Sequence, residues 1–163
     1  MWQQEGFLKG EVNVNDAMKR LEFYIQSIPE QIKNISKEEL LIKPASGKWS
    51  KQEILGHLID SALNNLKRFT EIQFLPQPYI VNAYNQNELV NVNGYQNMPL
   101  DHLLNLWKVL NRQIIFVVQE ISDEKLNYAV DPQYEKHELK TLGWIIGDYV
   151  VHMEHHFKQI FPD

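Results

Sequence analysis

The chain has 163 residues, a length that predicts one domain, residues 1–163, with enough apolar side chains to bury a substantial core. Its formal net charge is −5 and its longest basic clusters are Lys19-Arg20 and Lys67-Arg68, so the composition excludes the grouped cations with which proteins bind nucleic acid. Cysteine is absent, which excludes disulfides and a protein thiol as nucleophile or metal ligand.

The sequence carries no signal for membrane insertion or export. No apolar run reaches about 18 residues, so no membrane span is predicted. Met1-Trp2-Gln3-Gln4 is not followed by the apolar stretch that a signal peptide needs. We therefore expect a cytoplasmic protein. Residues 1–12 are expected to be a poorly fixed lead-in or a first half-turn.

A first helix is predicted after this lead-in. Asn13 or Asn15 can cap it, and Asp16 lies in its first turn. Pro29 removes one backbone hydrogen bond, so we expect a kink or a short break there. Apolar residues recur at three- and four-residue steps along the segment, namely Met18, Leu21, Ile25, Ile28, Ile32 and Ile35.

A second helix is predicted over about residues 50–73. Ser50-Lys51-Gln52-Glu53 is a capping box, which marks the start of the helix. His57 and Ser61 lie at the edge of its apolar arc, and Asn65 lies inside the arc. Polar groups on an inward face are costly unless they find partners, so these side chains predict either a polar cavity or hydrogen bonds between helices.

A long connection, residues 74–98, follows the second helix and is rich in Pro, Asn, Tyr and Gln. Such a length between packed helices is typical of a lid or a crossover, and residues 85–90 within it are predicted to form a short helix. The third helix is predicted to open at Asn97 or Asp101 and to end near Glu120.

The last predicted helix, Thr141–Ile160, carries a histidine pair. His152 and His156 are four residues apart, which places their Cβ atoms roughly 5–6 Å apart on one face, a spacing that suits two imidazoles on one metal ion. His57 of the second helix is the best candidate for a third ligand. Two alternatives stay open: such a pair also occurs on solvated surfaces, and a lone inward histidine also occurs as a hydrogen-bonded core residue.

Other side chains near these positions have predicted roles outside the ligand set. Asp148 is expected either to orient the free ring nitrogen of His152 or to be an exposed helix charge. Tyr149 is predicted to lie in the core, and Trp49 to pack against the N-terminus of the second helix as a hydrophobic staple. The remaining histidines are expected at the surface, namely His102, His137 and His155. His155 has the alternative of a place beside the ligands, and His137 that of a position at the rim of the site.

Four long amphipathic helices without a convincing strand predict an all-α fold, a four-helix bundle with a long loop between its second and third helices. Bundles of this kind build metal sites from side chains on facing helices. The sequence pattern thus allows the second and fourth helices to bring their histidines together.

The segments that hold the histidines resemble the DinB-like superfamily, also called DinB/YfiT-like. The resemblance lies in Lys48-Trp49-Ser50 followed by EILGHLID at residues 53–60, and in Thr141-Leu142 followed by the histidine pair. Residues 103–126 are also similar to the third helix of that family and the turn after it. The resemblance implies an up-down-down-up bundle, a homodimer, and a divalent metal ion bound by His57, His152 and His156.

Three imidazoles leave the other coordination positions of a metal to water or substrate, as in catalytic rather than structural sites. Imidazole ligands favour zinc, nickel, iron or cobalt over magnesium. Such a metal can activate water for hydrolysis, or it can hold a thiol as the nucleophilic thiolate. Because the chain has no cysteine, thiol chemistry would need an external low-molecular-weight thiol.

The resemblance favours thiol chemistry, because some members of the family use bacillithiol or mycothiol. We therefore predict a metal-dependent enzyme for a small-molecule substrate, with a bacillithiol-type S-transferase as the leading function. A metal-dependent hydrolase is the alternative enzyme, and a bundle that binds metal or ligand without turnover is the alternative class. The sequence identifies no general acid or base.

Overall fold

Four long helices dominate the computed structural model, which describes residues 13–134 and 138–162. The long helices are α1 (Val14–Lys33), α3 (Lys51–Glu71), α5 (Leu100–Gln119) and α7 (Leu142–Ile160). Between them lie the short helices α2 (Lys37–Leu41), α4 (Gln86–Asn93) and α6 (Asp123–Leu126), and a 3₁₀ turn at Tyr95–Asn97. The predictions made for residues 1–12 and for His137 lie outside the described residues.

Most helices begin where a side chain accepts a hydrogen bond from the first turn. Asn13 caps α1, and Ser50 caps α3 in the predicted capping box, with both of its reciprocal hydrogen bonds formed. The predicted start of the third long helix at Asn97 or Asp101 is wrong. Asn97 belongs to the 3₁₀ turn, and Pro99, with its fixed φ of −61° and an extended ψ, directly precedes α5 without a side-chain cap.

Helix α1 continues through Pro29, so the short break that the proline suggested does not occur. A proline inside a helix removes one backbone hydrogen bond, and tertiary packing has to offset that loss. Pro29 is itself buried, between the buried side chains of Ile28 and Ile32. The apolar face of the helix therefore holds the segment together across the missing hydrogen bond.

Helices α1 and α7 run parallel. Near the start of both helices, Val14 lies beside Gly143. Further along, the guanidinium of Arg20 donates to the carboxylate of Glu154 over 2.6 Å. Contacts that advance in the same direction along both helices establish the parallel orientation.

Helices α3 and α5 both run antiparallel to α7. On α3, His57 contacts His156 while the later Phe69 contacts the earlier Tyr149. On α5, Trp107 contacts Phe157 while the later Asn111 contacts the earlier Tyr149. Together with the parallel pair α1 and α7, these contacts give the up-down-down-up order. The four-helix bundle is confirmed.

The core lies between the inward faces of the four long helices. Trp107 and Phe69 are its largest fully buried side chains. Tyr149 is 3% exposed and its hydroxyl donates to Oδ1 of Asn111 over 2.6 Å, which confirms its prediction as a core residue. None of the helices in residues 13–134 and 138–162 combines the length and apolar character that crossing a membrane requires.

A small sheet joins the two long connections, although no strand was predicted. Its strands are β1 (Tyr79–Ile80), β2 (Ala129–Asp131) and β3 (Lys140–Thr141). Strand β2 is central, parallel to β1 with Tyr79 opposite Val130 and antiparallel to β3 with Ala129 opposite Thr141. Strands of two or three residues are too short to show the alternation from which a strand is recognised. The prediction of no strand was therefore wrong in this detail.

The second half of the 74–98 connection is anchored on α3. The amide of Gln52 donates to the backbone oxygen of Tyr95 over 2.8 Å. The ring of Tyr95 lies directly on Gly56, where an added Cβ would be 2.2 Å from ring carbons, and its hydroxyl donates to Oδ1 of Asp60 over 2.6 Å. The absence of a side chain at Gly56 thus allows this segment to pack against the helix that carries His57.

Candidate metal centre

The three histidines that were predicted as ligands converge between α3 and α7. His57 lies in the second turn of α3, and His152 and His156 lie on successive turns of the second half of α7. The Nε2 atom of His152 is 3.2 Å from Nε2 of His57 and 3.1 Å from Nε2 of His156. One ligand atom from each of the three side chains lies within 4.8 Å of the other two.

These distances fit a single metal ion. With metal–nitrogen bonds of about 2.0–2.1 Å, two ligating nitrogens are roughly 2.9–3.4 Å apart in octahedral or tetrahedral geometry. The nitrogen donor set suits zinc, nickel or iron better than magnesium. Hydrogen bonds alone satisfy the group poorly, because each Nε2 carries either one proton or one lone pair, and Nε2 of His152 faces two others. A cation would accept all three lone pairs at once.

Burial keeps the three imidazoles neutral. His57 is 0% exposed and His156 is 5% exposed, whereas His152 is partly exposed. Burial, followed by the proximity of His156, lowers the pKa of His57 to about 3. Burial is also the main cause that lowers the pKa of His156. The pKa of His152 is lowered well below its ordinary value, again mainly by burial. Neutral imidazole is the form that binds metal, so the site is ready for a cation at neutral pH.

Two of the rings are oriented through their second nitrogen. Nδ1 of His156 lies 2.9 Å from Oε1 of Gln159, and Nδ1 of His152 lies 3.4 Å from Oγ of Ser61. Hydrogen bonds of this kind set the ring orientation and leave Nε2 with its lone pair toward the centre. Nδ1 of His57 is buried and has no hydrogen-bond partner among the described residues.

Trp49 forms one wall of the centre. Its ring centroid lies 4.8 Å from that of His57 with the planes tilted by 30°, and 6.4 Å from that of His156. Trp49 was predicted to pack at the start of a helix, and its contact with the histidines was not predicted. The only signal in the sequence was its position directly before the capping box, because residues outside a helix have no periodicity that shows which way they point.

Asp148 neither orients the ring of His152 nor is an exposed helix charge, the two alternatives predicted for it. The hydrogen bond at Nδ1 of His152 involves Ser61 rather than Asp148. The carboxyl is only partly exposed, and burial raises its pKa to about 6, against the opposing effect of Lys140. Asp148 is therefore a partly buried acid one turn before the centre on α7.

The other polar predictions are settled by burial. Ser61 and Asn65 are both buried, and the amide of Asn65 donates to the backbone oxygen of Ser61 over 2.9 Å, so they form part of the interface between helices. His102 and His155 are exposed, which confirms their surface positions. His155 also contacts the centre, because its ring centroid lies 5.4 Å from that of His156 and its Nε2 lies 3.3 Å from the amide of Gln159.

The fold is similar to two solved structures. YfiT from Bacillus subtilis, described as a probable metal-dependent hydrolase with an unusual four-helix bundle topology, matches with a TM-score of 0.79 and 19% identity over 98% of this chain and 89% of that one. A mycothiol-dependent maleylpyruvate isomerase matches with a TM-score of 0.62 and 14% identity over 86% of this chain and 59% of the isomerase. Identities this low show a shared fold alone.

Sequence comparison gives the family. Two Oceanobacillus iheyensis proteins that carry the provisional name of metal-dependent hydrolase are similar to this chain. One is 21% identical over 91% of this chain and 83% of its own length, and the other is 23% identical over 83% and 79%. A sequence profile of the DinB superfamily matches residues 20–160, a stretch that contains all three converging histidines. The chain therefore belongs to the DinB superfamily.

Proposed function

We propose that this protein is a divalent-metal-dependent enzyme for a small-molecule substrate, and that His57, His152 and His156 are the metal ligands. One observation carries the proposal: three neutral imidazoles from two helices direct their Nε2 atoms at one point. Zinc, nickel and iron are the candidate metals, because they suit a nitrogen donor set. The provisional names of the relatives agree with a metal-dependent activity.

Transfer of a low-molecular-weight thiol of the bacillithiol type is the leading reaction. The sulfur forms a bond to an electrophilic carbon, the leaving group departs with its electron pair, and the thiol proton goes to solvent. When bound, the metal supplies Lewis acidity, which favours thiolate over thiol or hydroxide over water. One fact supports thiol transfer: the fold is similar to that of a mycothiol-dependent isomerase. Because the chain has no cysteine, the thiol would come from a separate small molecule.

The side chains around the centre have distinct tasks in this proposal. Ser61 and Gln159 hold the rings of His152 and His156 in position through Nδ1. Trp49 covers His57 and keeps water from that side of the site. Because His57 and His156 are buried while His152 is partly exposed, the substrate would approach past His152.

Hydrolysis is the second candidate. It is favoured by the relatives, since two curated proteins and YfiT are described in terms of metal-dependent hydrolysis. It differs from thiol transfer in the nucleophile, which is water, while the ligands and the covering Trp49 keep the same tasks. The two reactions are therefore separated by whether turnover requires an added thiol.

An assay on the purified full chain distinguishes these possibilities. Zinc-, nickel- and iron-loaded protein, and chelated protein, are given bacillithiol with 1-chloro-2,4-dinitrobenzene, and separately p-nitrophenyl acetate without thiol. Thiol transfer predicts metal-dependent loss of thiol, which His57→Ala abolishes. Hydrolysis predicts metal-dependent release of nitrophenol without thiol. Metal uptake without turnover in either assay would leave a binding protein and would contradict the proposed enzyme.

A homodimer is also part of the proposal, as the family resemblance implies. Helices α1 and α5 expose apolar side chains that a second copy can cover, Phe23 on α1 and Val109 and Phe116 on α5, exposed by 62%, 67% and 58%. Sedimentation equilibrium of wild type and Phe116→Glu tests it, with a monomeric wild type as the contradicting result.

The cytoplasmic location, the single domain over residues 1–163 and the lack of a nucleic-acid partner stay predictions.

A further inference from the structure

A line of polar side chains leads along α3 away from the histidines. It consists of His57, Ser61, Asn65 and Arg68, whose spacing places them on one face of the helix. Oγ of Ser61 lies 3.4 Å from Nδ1 of His152, the amide of Asn65 lies 3.3 Å from Oγ of Ser61, and Nη1 of Arg68 lies 3.5 Å from Oδ1 of Asn65. The line therefore connects the candidate metal centre to a guanidinium about three turns away.

The charge of Arg68 is not paired. The side chain is partly buried, and Nη2 donates to the backbone oxygen of Asn82 over 3.0 Å. Within residues 13–134 and 138–162, no carboxylate lies at ion-pair distance from the guanidinium. The nearby Glu71 is bound instead by Lys67 over 2.9 Å and by the hydroxyl of Tyr79 over 2.7 Å. A partly desolvated arginine with free N–H groups is suited to bind an anion in a planar, two-pronged manner.

Tyr84 connects Arg68 to the surroundings of the centre. The guanidinium carbon of Arg68 lies 5.6 Å from the centroid of the Tyr84 ring. Burial raises the pKa of Tyr84, while the charge of Arg68 and a side-chain hydrogen bond with Ser61 oppose this shift. Since Ser61 also lies 3.4 Å from His152, Tyr84 is near both Arg68 and a residue that adjoins the centre.

Tyr134 lies near two of the charged residues of this region. Burial, followed by the charge of Asp148, raises the pKa of Tyr134 to about 12, and Arg68 opposes the shift, so this ring lies within the fields of both residues. Tyr134, Tyr84 and Asp148 are all partly exposed, as are Arg68 and His152. The candidate metal centre and the unpaired arginine thus lie along the same face of α3, and each includes a partly accessible side chain.

We infer that Arg68 binds the carboxylate of a small molecule whose other end lies at the three histidines. The inference rests on the proposed function for what happens at that other end. A single negative charge is favoured over a phosphate dianion, because Asp60 and Asp148 both act on the tyrosines that flank the guanidinium. The separation of about three helical turns selects an elongated monoanion rather than a compact one.

A matched pair of ligands tests the inference. Calorimetry measures the binding of 6-[(4-chloro-3-nitrobenzoyl)amino]hexanoate, an elongated monoanion, and of its neutral terminal amide to the zinc-loaded full chain. We expect the acid to bind roughly tenfold more tightly than the amide, as for a hydrogen-bonded charge pair. Arg68→Gln should abolish this preference, Arg68→Lys should keep part of it, and Arg112→Gln, which changes an arginine 3.8 Å from Glu22 on other helices, should leave it intact.

Several outcomes would overturn the inference. The wild type must bind the acid better than the amide, so equal or undetectable binding of both contradicts it. A preference that survives in Arg68→Gln contradicts it as well, because the carboxylate would then be held by the zinc. Zinc content and thermal unfolding of each variant show whether Arg68→Gln acts on the ligand or on the fold, and Arg68→Lys decides the case if Arg68→Gln unfolds.

The test does not depend on turnover. If neither turnover assay shows activity but the preference for the acid still requires Arg68, the proposed function is contradicted and the carboxylate site is supported. If turnover is found but the preference for the acid is absent or independent of Arg68, the proposed function is supported and the carboxylate site is contradicted. The two failures therefore give different results.

Discussion

Nε2 of His57 lies 3.2 Å from Nε2 of His152, although 95 positions separate the two residues in the chain. The antiparallel arrangement of α3 and α7 brings them together, and the helical spacing of His156 adds a third nitrogen 3.1 Å from that of His152. Three nitrogens at these distances suit one cation, because imidazole nitrogens bound to the same metal lie roughly 2.9–3.4 Å apart.

Loss of one ligand tests this relationship directly. We expect about one divalent metal ion per chain in the wild type and a strong loss in His57→Ala, because two imidazoles on one helix retain metal less well than three. Metal analysis after dialysis measures the content, and circular dichroism shows that the bundle is intact. His102→Ala removes an exposed histidine and is the matched control. Full retention of metal by His57→Ala would overturn the ligand assignment.

Gln159 orients the ring of His156 without being a candidate ligand, so its loss should lower metal affinity less than loss of a ligand. Gln159→Leu should weaken metal affinity about 10–100-fold, because Nδ1 of His156 loses the acceptor 2.9 Å away that fixes its tautomer. Competition titration with a metal-binding dye measures the affinity. His155→Ala separates this effect from the contact between Gln159 and His155. An unchanged affinity in Gln159→Leu would show that the ring is held by packing alone.

Much of the fold follows from local signals that act over a few residues. The capping box at Ser50 and the spacing of His152 and His156 each depend on helix geometry, which is the same in every protein. The pairing of α3 with α7 is not local. The choice of His57 as the third ligand predicts it, and the family resemblance implies the same three residues. Apolar periodicity alone shows which face of a helix is buried, but it does not show which helix covers it.

The structural features that could not be predicted from the sequence are those that depend on contacts between residues far apart in the chain. Trp49 precedes a helix, so no period indicates that its ring reaches His57 and His156. The two- and three-residue strands exist because the connections meet, and their own pattern carries no signal. The burial of Asp148 was not predicted, because a helix charge looks the same in sequence whether it is exposed or buried.

The contact between Gly56 and Tyr95 predicts a stability effect in the helix that carries His57. Gly56→Ala should destabilise the protein by about 1–3 kcal/mol, because the new Cβ would lie 2.2 Å from ring carbons of Tyr95 and the ring or the helix must move. Gly143→Ala is the matched control, since its nearest neighbour would be 3.4 Å away and alanine is the better helix former by up to about 1 kcal/mol. Urea denaturation measures both, and equal stability of the two variants would contradict the packing argument.

Burial of Asp148 predicts a pH-dependent stability difference between wild type and Asp148→Asn. The folded-state pKa of about 6 exceeds the ordinary value of 3.8, so the folded wild type holds a proton that the unfolded chain has already released between these pH values. The wild type therefore loses stability as pH rises from about 4 to about 6, and asparagine does not undergo this loss. The advantage of Asp148→Asn should grow over that window and then remain constant.

The plateau above pH 6 should be about 1–2 kcal/mol, less than the roughly 3 kcal/mol that two pKa units represent, because the carboxyl is partly exposed to solvent. The measurement is urea denaturation of chelated protein at intervals from pH 4 to pH 8, since a bound cation nearby would lower the pKa of Asp148 and hide the effect. The histidines titrate in both proteins, so they cancel in the difference between the two curves. Asp101→Asn, which removes a carboxylate 81% exposed, controls for the general effect of one less negative charge. A difference that stays constant from pH 4 to pH 8 would mean that Asp148 is solvated in the folded protein.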